Sequence, residues 1–423
     1  MIRVVEVKGY KCLRYIRQEL DSFQILVGPN ASGKSTFLDA VLFVRDLLIK
    51  GVEGAVRDRA RTVRELSWKG EHAAFEIAVE FALPKGVTKS GNGQPHYPYA
   101  RYELRIVGES PEGIQIALEN LWLLSQAVKN KQPHADAVQR TLFPVEPQPP
   151  ETIVVEPGKH TPSGWRKVVS RNPEGRVYIR SEKTKWNIAL KPRLGRTGLT
   201  IVPEEEERFP ATVWLRRLLS ERIQFLMLNS RAMRAPCPPD VPRTFQSDGS
   251  NLALVVETLR EEHFEQFQWW LGHVQTVLSD IRDVEVRKRE EDNFRYIVAV
   301  LNDGTKIPSW LLSDGTLRFL ALTLIAYLPE SGVVYFIEEP ENGIHPKALE
   351  AMYQSLSSLY EGQIFCATHS PVFLNLAKPK ELLCFARAES GATDIVRGDA
   401  HPWLKEWREA VTLGDLLASG VLG

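Results

Sequence analysis

Residues 23–36 read FQILVGPNASGKST. Phe23 to Val27 form a short apolar run of the kind buried centrally in a parallel sheet. The run ends at Gly28, passes through Pro29, Asn30, Ala31 and Ser32, and reaches Gly33, Lys34, Ser35 and Thr36. From Ser35 onward, STFLDAVLFVRDLL places apolar residues at helical spacing. Strand, glycine-framed loop and helix thus follow one another, with the G-x-x-x-x-G-K-[ST] spacing met at Gly28, Gly33, Lys34 and Ser35. The two glycines let the backbone turn back, so that successive N–H groups point into one concavity that holds phosphate. The helix N-terminus adds the positive end of its dipole. Lys34 is placed to reach β- and γ-phosphates, and the Ser35 hydroxyl to ligate Mg²⁺. A Gly/Ser-rich turn can meet this spacing by chance, but here a strand precedes it and a helix follows. Residues 28–36 read as a nucleotide-binding loop.

The totals bound the rest. A chain of 423 residues can bury a large core and has room for two or three domains. Lys+Arg and Asp+Glu both number 53, so any surface for nucleic acid or membrane must be local. The four cysteines are scattered and include no C-x-x-C pair, which argues against structural zinc and a disulfide framework. Charges interrupt the apolar stretches of MIRVVEVKGY, unlike a signal peptide, and no window approaches the ~18 apolar residues of a membrane span. TLRFLALTLIAYLP, 316–329, is the most apolar segment and reads as a core helix. These features predict a soluble cytoplasmic protein with no membrane partner.

Along the chain, 2–8 alternates and reads as a strand leading into the phosphate-loop strand. Three alternating runs, 71–83, 98–107 and 113–121, are spaced like an antiparallel meander, with a flexible loop, PKGVTKSGNGQPHYP, between the first two. The proline- and polar-rich stretches VKNKQPHADAVQR and FPVEPQPPE look like a boundary. From Lys159 to Arg196 stand eleven Lys/Arg against two acidic residues, with Trp165, Tyr178 and Trp186 interleaved. That composition suits a basic, aromatic-bearing β surface for nucleic acid. A solvated hairpin face countered by Glu204 to Glu207 is the preferred alternative. From 211 the pattern turns helical, with a strand at QFLML, a turn-rich segment, helices in 251–281 and a hairpin in 283–301 tipped by VRKREEDN. The expected arrangement is an α/β fold with a mixed central sheet, an antiparallel meander and a helical lobe. Residues 1–127 and 211–423 would make a discontinuous head, 211–310 its helical lobe, and 128–210 a basic β-rich insertion.

Three further stretches answer the phosphate loop. Leu312-Ser313-Asp314-Gly315-Thr316 opens an apolar helix, where a Ser and a Gly make a second anion-binding end, or Ser313 is an ordinary N-cap. GVVYFIEEPENGIHP, 332–346, is a buried strand ending in Glu338 and Glu339, and burying two carboxylates is costly unless a cation or a reaction needs them. IFCATHSP, 364–371, is another buried strand that ends in Thr368-His369-Ser370.

In this order, loop, LSDGT, EEPENGIHP and ATHSP, the chain resembles the SMC/RecF-type heads of the ABC ATPase superfamily. More narrowly, IPSWLLSDGTLRFLAL and TLGDLLASGVLG look like the stand-alone bacterial AAA-family ATPases related to OLD-family proteins. The resemblance covers roughly 1–50 and 210–423. It implies a P-loop NTPase fold, ATP and Mg²⁺ as cofactors, and an ATPase reaction. It makes Glu338 a Mg²⁺ ligand beside Ser35, and Glu339 the carboxylate that polarises the attacking water. Glu338 departs from the usual Asp, and its extra methylene leaves open whether it meets the metal directly or through water. The resemblance also makes His369 the switch histidine that senses the γ-phosphate. LSDGT departs from LSGGQ at Asp314 and Thr316. In that superfamily two heads sandwich two ATPs, so Ser313, Asp314 and Gly315 would meet the partner's nucleotide in a homodimer. Gln246 is a candidate for the glutamine that monitors Mg²⁺, with a plain loop residue as the preferred reading. Roughly fifty residues follow His369, too few for a TOPRIM nuclease. The expected function is an ATP-driven switch on a DNA-related process, with phage defence through a separately encoded effector as the setting. A RecF-like repair loader is the alternative. A transporter ATPase subunit is disfavoured by LSDGT, EEPENGIHP and VVEVKGYKCL.

Overall fold

The computed structural model describes residues 1–87, 96–110, 113–125, 148–156, 161–193, 195–401, 404 and 412–420. The phosphate-loop strand, β3 (Phe23–Val27), is buried at all five positions. It lies between β15 (Gln363–Ala367) and β16 (Leu382–Arg387) and runs parallel to both. On one side the sheet continues through β14 (Val334–Glu338) to β10 (Ile223–Leu226), all parallel. On the other side β17 (Thr393–Arg397) closes it antiparallel, which makes the expected mixed sheet, six strands wide. Alternate residues of these strands feed two cores. Leu26, Phe336, Phe365 and Leu383 enter one, while Ile25, Tyr335, Ile364 and Cys384 enter the other. Burial of both faces explains why these strands read as continuous apolar runs.

Against the first face pack α1 (Lys34–Arg57) and α3 (Pro210–Glu221), roofed by an eight-stranded antiparallel sheet. Its order is β2 (Leu13–Glu19), β1 (Ile2–Tyr10), β4 (Ala74–Ala82), β5 (Tyr99–Ser110), β6 (Gly113–Leu124), β7 (Trp165–Arg171), β8 (Val177–Arg180), β9 (Asn187–Leu190). The expected meander is β4, β5 and β6. The expectation that residues 2–8 lead into β3 needs correction: β2 intervenes, and β1 pairs with β2 and β4 in the other sheet. The hairpin turns at Lys11-Cys12 with Lys11 at φ 50, and it lacks the Asn-Gly or Asp-Gly pair that marks such turns.

The strands of 165–190 continue this sheet directly, with Val169 opposite Leu121, and Val168, Val169, Val177 and Ile179 lie in the same core as α1. The boundary read at 128–147, Lys159, most of the 84–98 loop and residues 421–423 lie outside the described residues.

The second face is covered by α5 (Leu252–Glu262), α6 (Phe264–Gln275), α7 (Asp314–Leu324) and α8 (Pro346–Ser357). Beside them stands a three-stranded sheet of β11 (Ile281–Lys288), β12 (Arg295–Leu301) and β13 (Lys306–Pro308). Four short helices, α2 (Val63–Leu66), α4 (Ser230–Arg234), α9 (Pro371–Leu374) and α10 (Leu413–Ala418), complete the described elements used below.

Away from α1, the antiparallel sheet carries an ionic stripe that the sequence pattern conceals. Arg101 is ion-paired to Glu6 at 2.8 Å, Glu80 at 3.1 Å and Glu103 at 2.7 Å, and all four are buried. Residues 151–156 lie over it: the Ile153 N–H donates to Glu76 at 2.7 Å and the Val155 N–H to Glu103 at 3.1 Å. Removing one partner strands buried charge. Arg101→Met is therefore expected to lower unfolding stability by about 3 kcal/mol, read as a shifted urea midpoint at constant slope.

Candidate nucleotide site

The site grows from the carboxyl ends of β3, β14 and β15, where ligands of open parallel sheets bind. After β3 the chain enters the loop at Gly28, whose φ is 143; a Cβ there would stand 2.1 Å from the Phe385 carbonyl oxygen. Gly33, at φ 104, would bring a Cβ 2.2 Å from the Thr393 Oγ1. Only glycine meets both demands. Thr393 in turn donates to the Ser32 carbonyl at 2.9 Å, which fastens the loop to β17. Pro29, Asn30 and Ala31 are exposed, Ser32 and Gly33 buried, and Thr36 half-buried.

Lys34 opens α1 and folds back over the loop. Its Nζ donates to the Gly28 carbonyl at 2.7 Å and the Pro29 carbonyl at 3.0 Å. Burial pulls its pKa down to about 8, against the opposing pull of Glu338. Ser35 donates from Oγ to Glu338 Oε1 at 2.5 Å, so a hydroxyl and a carboxylate meet at the end of β14.

Glu338 and Glu339 are exposed rather than buried, contrary to the sequence reading; β14 delivers them to the rim of an open cleft. The half-buried carboxylate of this turn is Glu341. The cleft is about 460 Å³ and is lined by Lys34, Ser35, Glu338, Glu339, Asn342 and His369, among others. His369 follows β15. Its pKa is lowered by burial and by Lys34, with Glu339 and Glu338 acting in the opposite direction. The three expected segments thus share one electrostatic environment.

The fourth segment stands apart. Ser313 caps α7, its Oγ accepting the Thr316 N–H at 3.1 Å. Asp314, expected at a nucleotide, is ion-paired to Arg234 at 2.6 Å. Gly315 lets α7 approach the turn after β14: a Cβ there would lie 2.4 Å from the Gly343 carbonyl oxygen. Ser313 is exposed, and none of 313–315 lines the cleft. Gln246 lines a neighbouring cleft of about 600 Å³ beside α1, where its Nε2 donates to the Thr244 carbonyl at 2.9 Å.

Several residues of the site were not legible beforehand. Thr393 lies far along the chain in an unremarkable strand, and nothing in the sequence marks it. Arg318 lines the cleft. The i,i+4 spacing from Asp314 places it on the same face of α7 and could have pointed to it.

Within the basic stretch, Arg171 is buried against Glu119 at 3.2 Å. Trp165 packs edge-on against Trp122, and Trp186 against Phe209. Arg176, Arg180, Lys183, Lys185, Lys191, Arg193 and Arg196 remain exposed beside Tyr178.

Among the described residues no helix is long and apolar enough to cross a membrane, and no group of three or more His, Cys, Asp or Glu could hold a metal ion. Ser35 and Glu338 supply two hard oxygen donors, the kind of partial set Mg²⁺ uses when phosphate oxygens and water complete its shell.

Two family descriptions match the chain. "AAA ATPase domain" covers residues 1–143, and "AAA domain, putative AbiEii toxin, Type IV TA system" covers 166–375. The first takes in Lys34, and the second takes in Ser313, Glu338, Glu339 and His369. Among solved structures, the SMC head bound to the C-terminal winged-helix domain of ScpA is similar at TM-score 0.51 and 14% identity, over 93% of this chain and 97% of that one. The SMC head with an extended coiled coil from Pyrococcus furiosus gives TM-score 0.48 and 13% identity, over 93% and 95%. Comparison with curated proteins finds no match. Residues 1–143 and 166–375 thus each match an AAA-domain family, and the fold is that of an SMC head.

Proposed function

We propose that the protein is an ATP-driven switch in which two copies close around two ATP molecules and hydrolysis separates them. The observation that carries this reading is the division of the site. Lys34, Ser35, Glu338, Glu339 and His369 share one cleft, while Ser313 and Gly315, at the start of α7, do not line it and Ser313 is exposed. A second copy supplies that missing anion-binding end in trans. Trp310 and Leu311, just ahead of Ser313 in the chain, are exposed apolar side chains that a second copy could cover.

In this reading the loop N–H groups and Lys34 hold the β- and γ-phosphates, and Lys34 exchanges its two carbonyl contacts for phosphate oxygens. Ser35 and Glu338 hold Mg²⁺, which would offset the phosphate charge. Glu339 accepts the proton of the water that attacks the γ-phosphorus, and His369 contacts the γ-phosphate from the end of β15. Hydrolysis to ADP and phosphate removes the group that both subunits share.

Mixing variants tests the trans arrangement. Lys34→Ala and Ser313→Arg chains are each expected to be inactive alone. A one-to-one mixture restores about a quarter of the wild-type rate, because half the dimers are mixed and each has one intact site of two. A mixture as dead as its components overturns the arrangement.

The switch acts, in our reading, on a separately encoded effector in defence against phage. The toxin–antitoxin description of the matched 166–375 domain supports that setting. The exposed cations between Arg176 and Arg196 are the candidate DNA surface. Reversing Arg180, Lys183, Lys185 and Lys191 to Glu is expected to weaken salt-dependent DNA binding at least tenfold. Unchanged binding in a gel-shift titration at two salt concentrations removes DNA from the proposal.

A further inference from the structure

The turn after β14 is held from two sides by groups that the proposed reaction leaves idle. Glu339 sits at φ 47, in the left-handed region that a residue with a side chain adopts only at a cost. Its N–H donates to the Ala367 carbonyl at 2.8 Å, and its own carbonyl accepts the Asn342 N–H at 3.0 Å. From the α7 side comes Arg318. Its Nη2 lies 3.4 Å from the Glu339 carbonyl and its Nη1 3.4 Å from the Leu228 carbonyl, both at the outer limit of hydrogen bonding. The Nε is buried without a partner. Asp314, Glu341 and Glu339 all attract this guanidinium, yet no ion pair engages it among the described residues. Buried donors left unmatched in this way are expensive.

Glu341 is the complement. Its Oε1 accepts the Thr368 hydroxyl at 2.5 Å, and Thr368 Oγ1 accepts the Ser370 N–H at 2.9 Å, so the chain of bonds ends beside His369. The other oxygen, Oε2, is buried and has no partner. A cation with no ion-pair partner among the described residues and an unmatched Nε, and a carboxylate with an unmatched oxygen, therefore flank one strained turn, and that turn carries the carboxylate read above as the water-polarising group.

We propose that Arg318 and Glu341 are positioning residues for ATP hydrolysis, closing on each other across the turn 339–343 in the ATP-bound state and so fixing the Glu339 carboxylate against the nucleotide. Arg318 lies one turn along the helix that Ser313 caps. Engagement of that helix end by a partner's nucleotide is thereby transmitted to Glu339 of the same chain. The inference rests on the assignment of Glu339 under Proposed function.

The experiment compares Arg318→Gln, Glu341→Gln, the double variant and Arg318→Lys for kcat, KM, ATP affinity by a fluorescent nucleotide, and Tm. Each single Gln variant is expected to lose about tenfold to a hundredfold in kcat, the scale of a misplaced reacting group. KM, ATP affinity and Tm stay near wild type. The double variant is no slower than the slower single, because paired groups are not additive, and Arg318→Lys recovers at least half the lost rate. If Glu341→Gln does not fold, Thr368→Val removes only the hydroxyl that holds the carboxylate and carries the same expectation. The proposal is overturned if kcat is unchanged, if KM alone rises, or if the two losses multiply. Glu339→Gln separates the layers. Should it turn over ATP at the wild-type rate, the assignment of Glu339 fails and takes this inference with it. Should it be inactive while the Arg318 and Glu341 variants keep their kcat, only this inference fails.

Discussion

Lys34→Ala should leave no measurable ATP binding at millimolar nucleotide. The ammonium is the one buried cation of the phosphate loop, and its present partners are two carbonyl oxygens, at 2.7 and 3.0 Å, that a phosphate outcompetes. Charge-assisted hydrogen bonds contribute about 1.5–3 kcal/mol each, and losing two of them weakens binding by at least a hundredfold. The variant should still fold, because Ala favours the helix and the loop's shape depends on Gly28, Gly33 and Thr393. Its measure is isothermal titration with a non-hydrolysable ATP analogue; binding within tenfold of wild type removes the loop assignment. A pH series on the wild type adds an independent check. Burial holds the Lys34 pKa down at about 8 in the free protein, and phosphate contact raises it. The charged form dominates below that value, so affinity is flat there. Above it, ATP must bring a proton with it, and affinity falls up to about tenfold per pH unit until the pKa of the bound state is passed.

The phosphate loop was readable because each of its constraints is local. A strand, two glycines with positive φ and a helix start leave their marks within fourteen consecutive residues. β14 and β15 were readable for the same reason, since burial on both faces enforces unbroken apolar runs. What the sequence concealed is set by tertiary contact. The β1–β2 hairpin turns on Lys11, a residue with no intrinsic preference for its backbone state. The Arg101 stripe looks in sequence like ordinary polar positions of half-exposed strands, and the covering segment 151–156 lies some fifty residues away. Even the composition of 159–196 misled in part. Arg171, Trp165 and Trp186 belong to the packing of the sheet, and only the cations farther along its edge face solvent.

Glu339→Gln should bind ATP as well as wild type and hydrolyse it about a thousandfold more slowly, the scale of a lost general base. The amide keeps the side chain's volume and can still face the water, but it takes no proton at neutral pH. Backbone strain makes the position specific. At φ 47 the side chain leaves the turn in a direction that an extended continuation of β14 would not allow, and the Ala367 carbonyl pins it there through the Glu339 N–H. Glu338, one residue earlier, ends the strand in regular geometry and is already engaged by Ser35. The two neighbouring carboxylates are thus held in different backbone states. One is turned toward the helix that follows the loop, the other toward open cleft, and this is how adjacent residues can do different work. In the proposed dimer an intact γ-phosphate is shared by both subunits, so the variant should run as a dimer on a sizing column with ATP and Mg²⁺ and as a monomer without them. Glu338→Gln distinguishes the roles: it should weaken Mg²⁺-dependent binding, and so fail to accumulate the dimer at low magnesium. A Glu339→Gln protein that binds ATP yet stays monomeric under all of these conditions would break the link between nucleotide state and assembly, even if its hydrolysis were lost as expected.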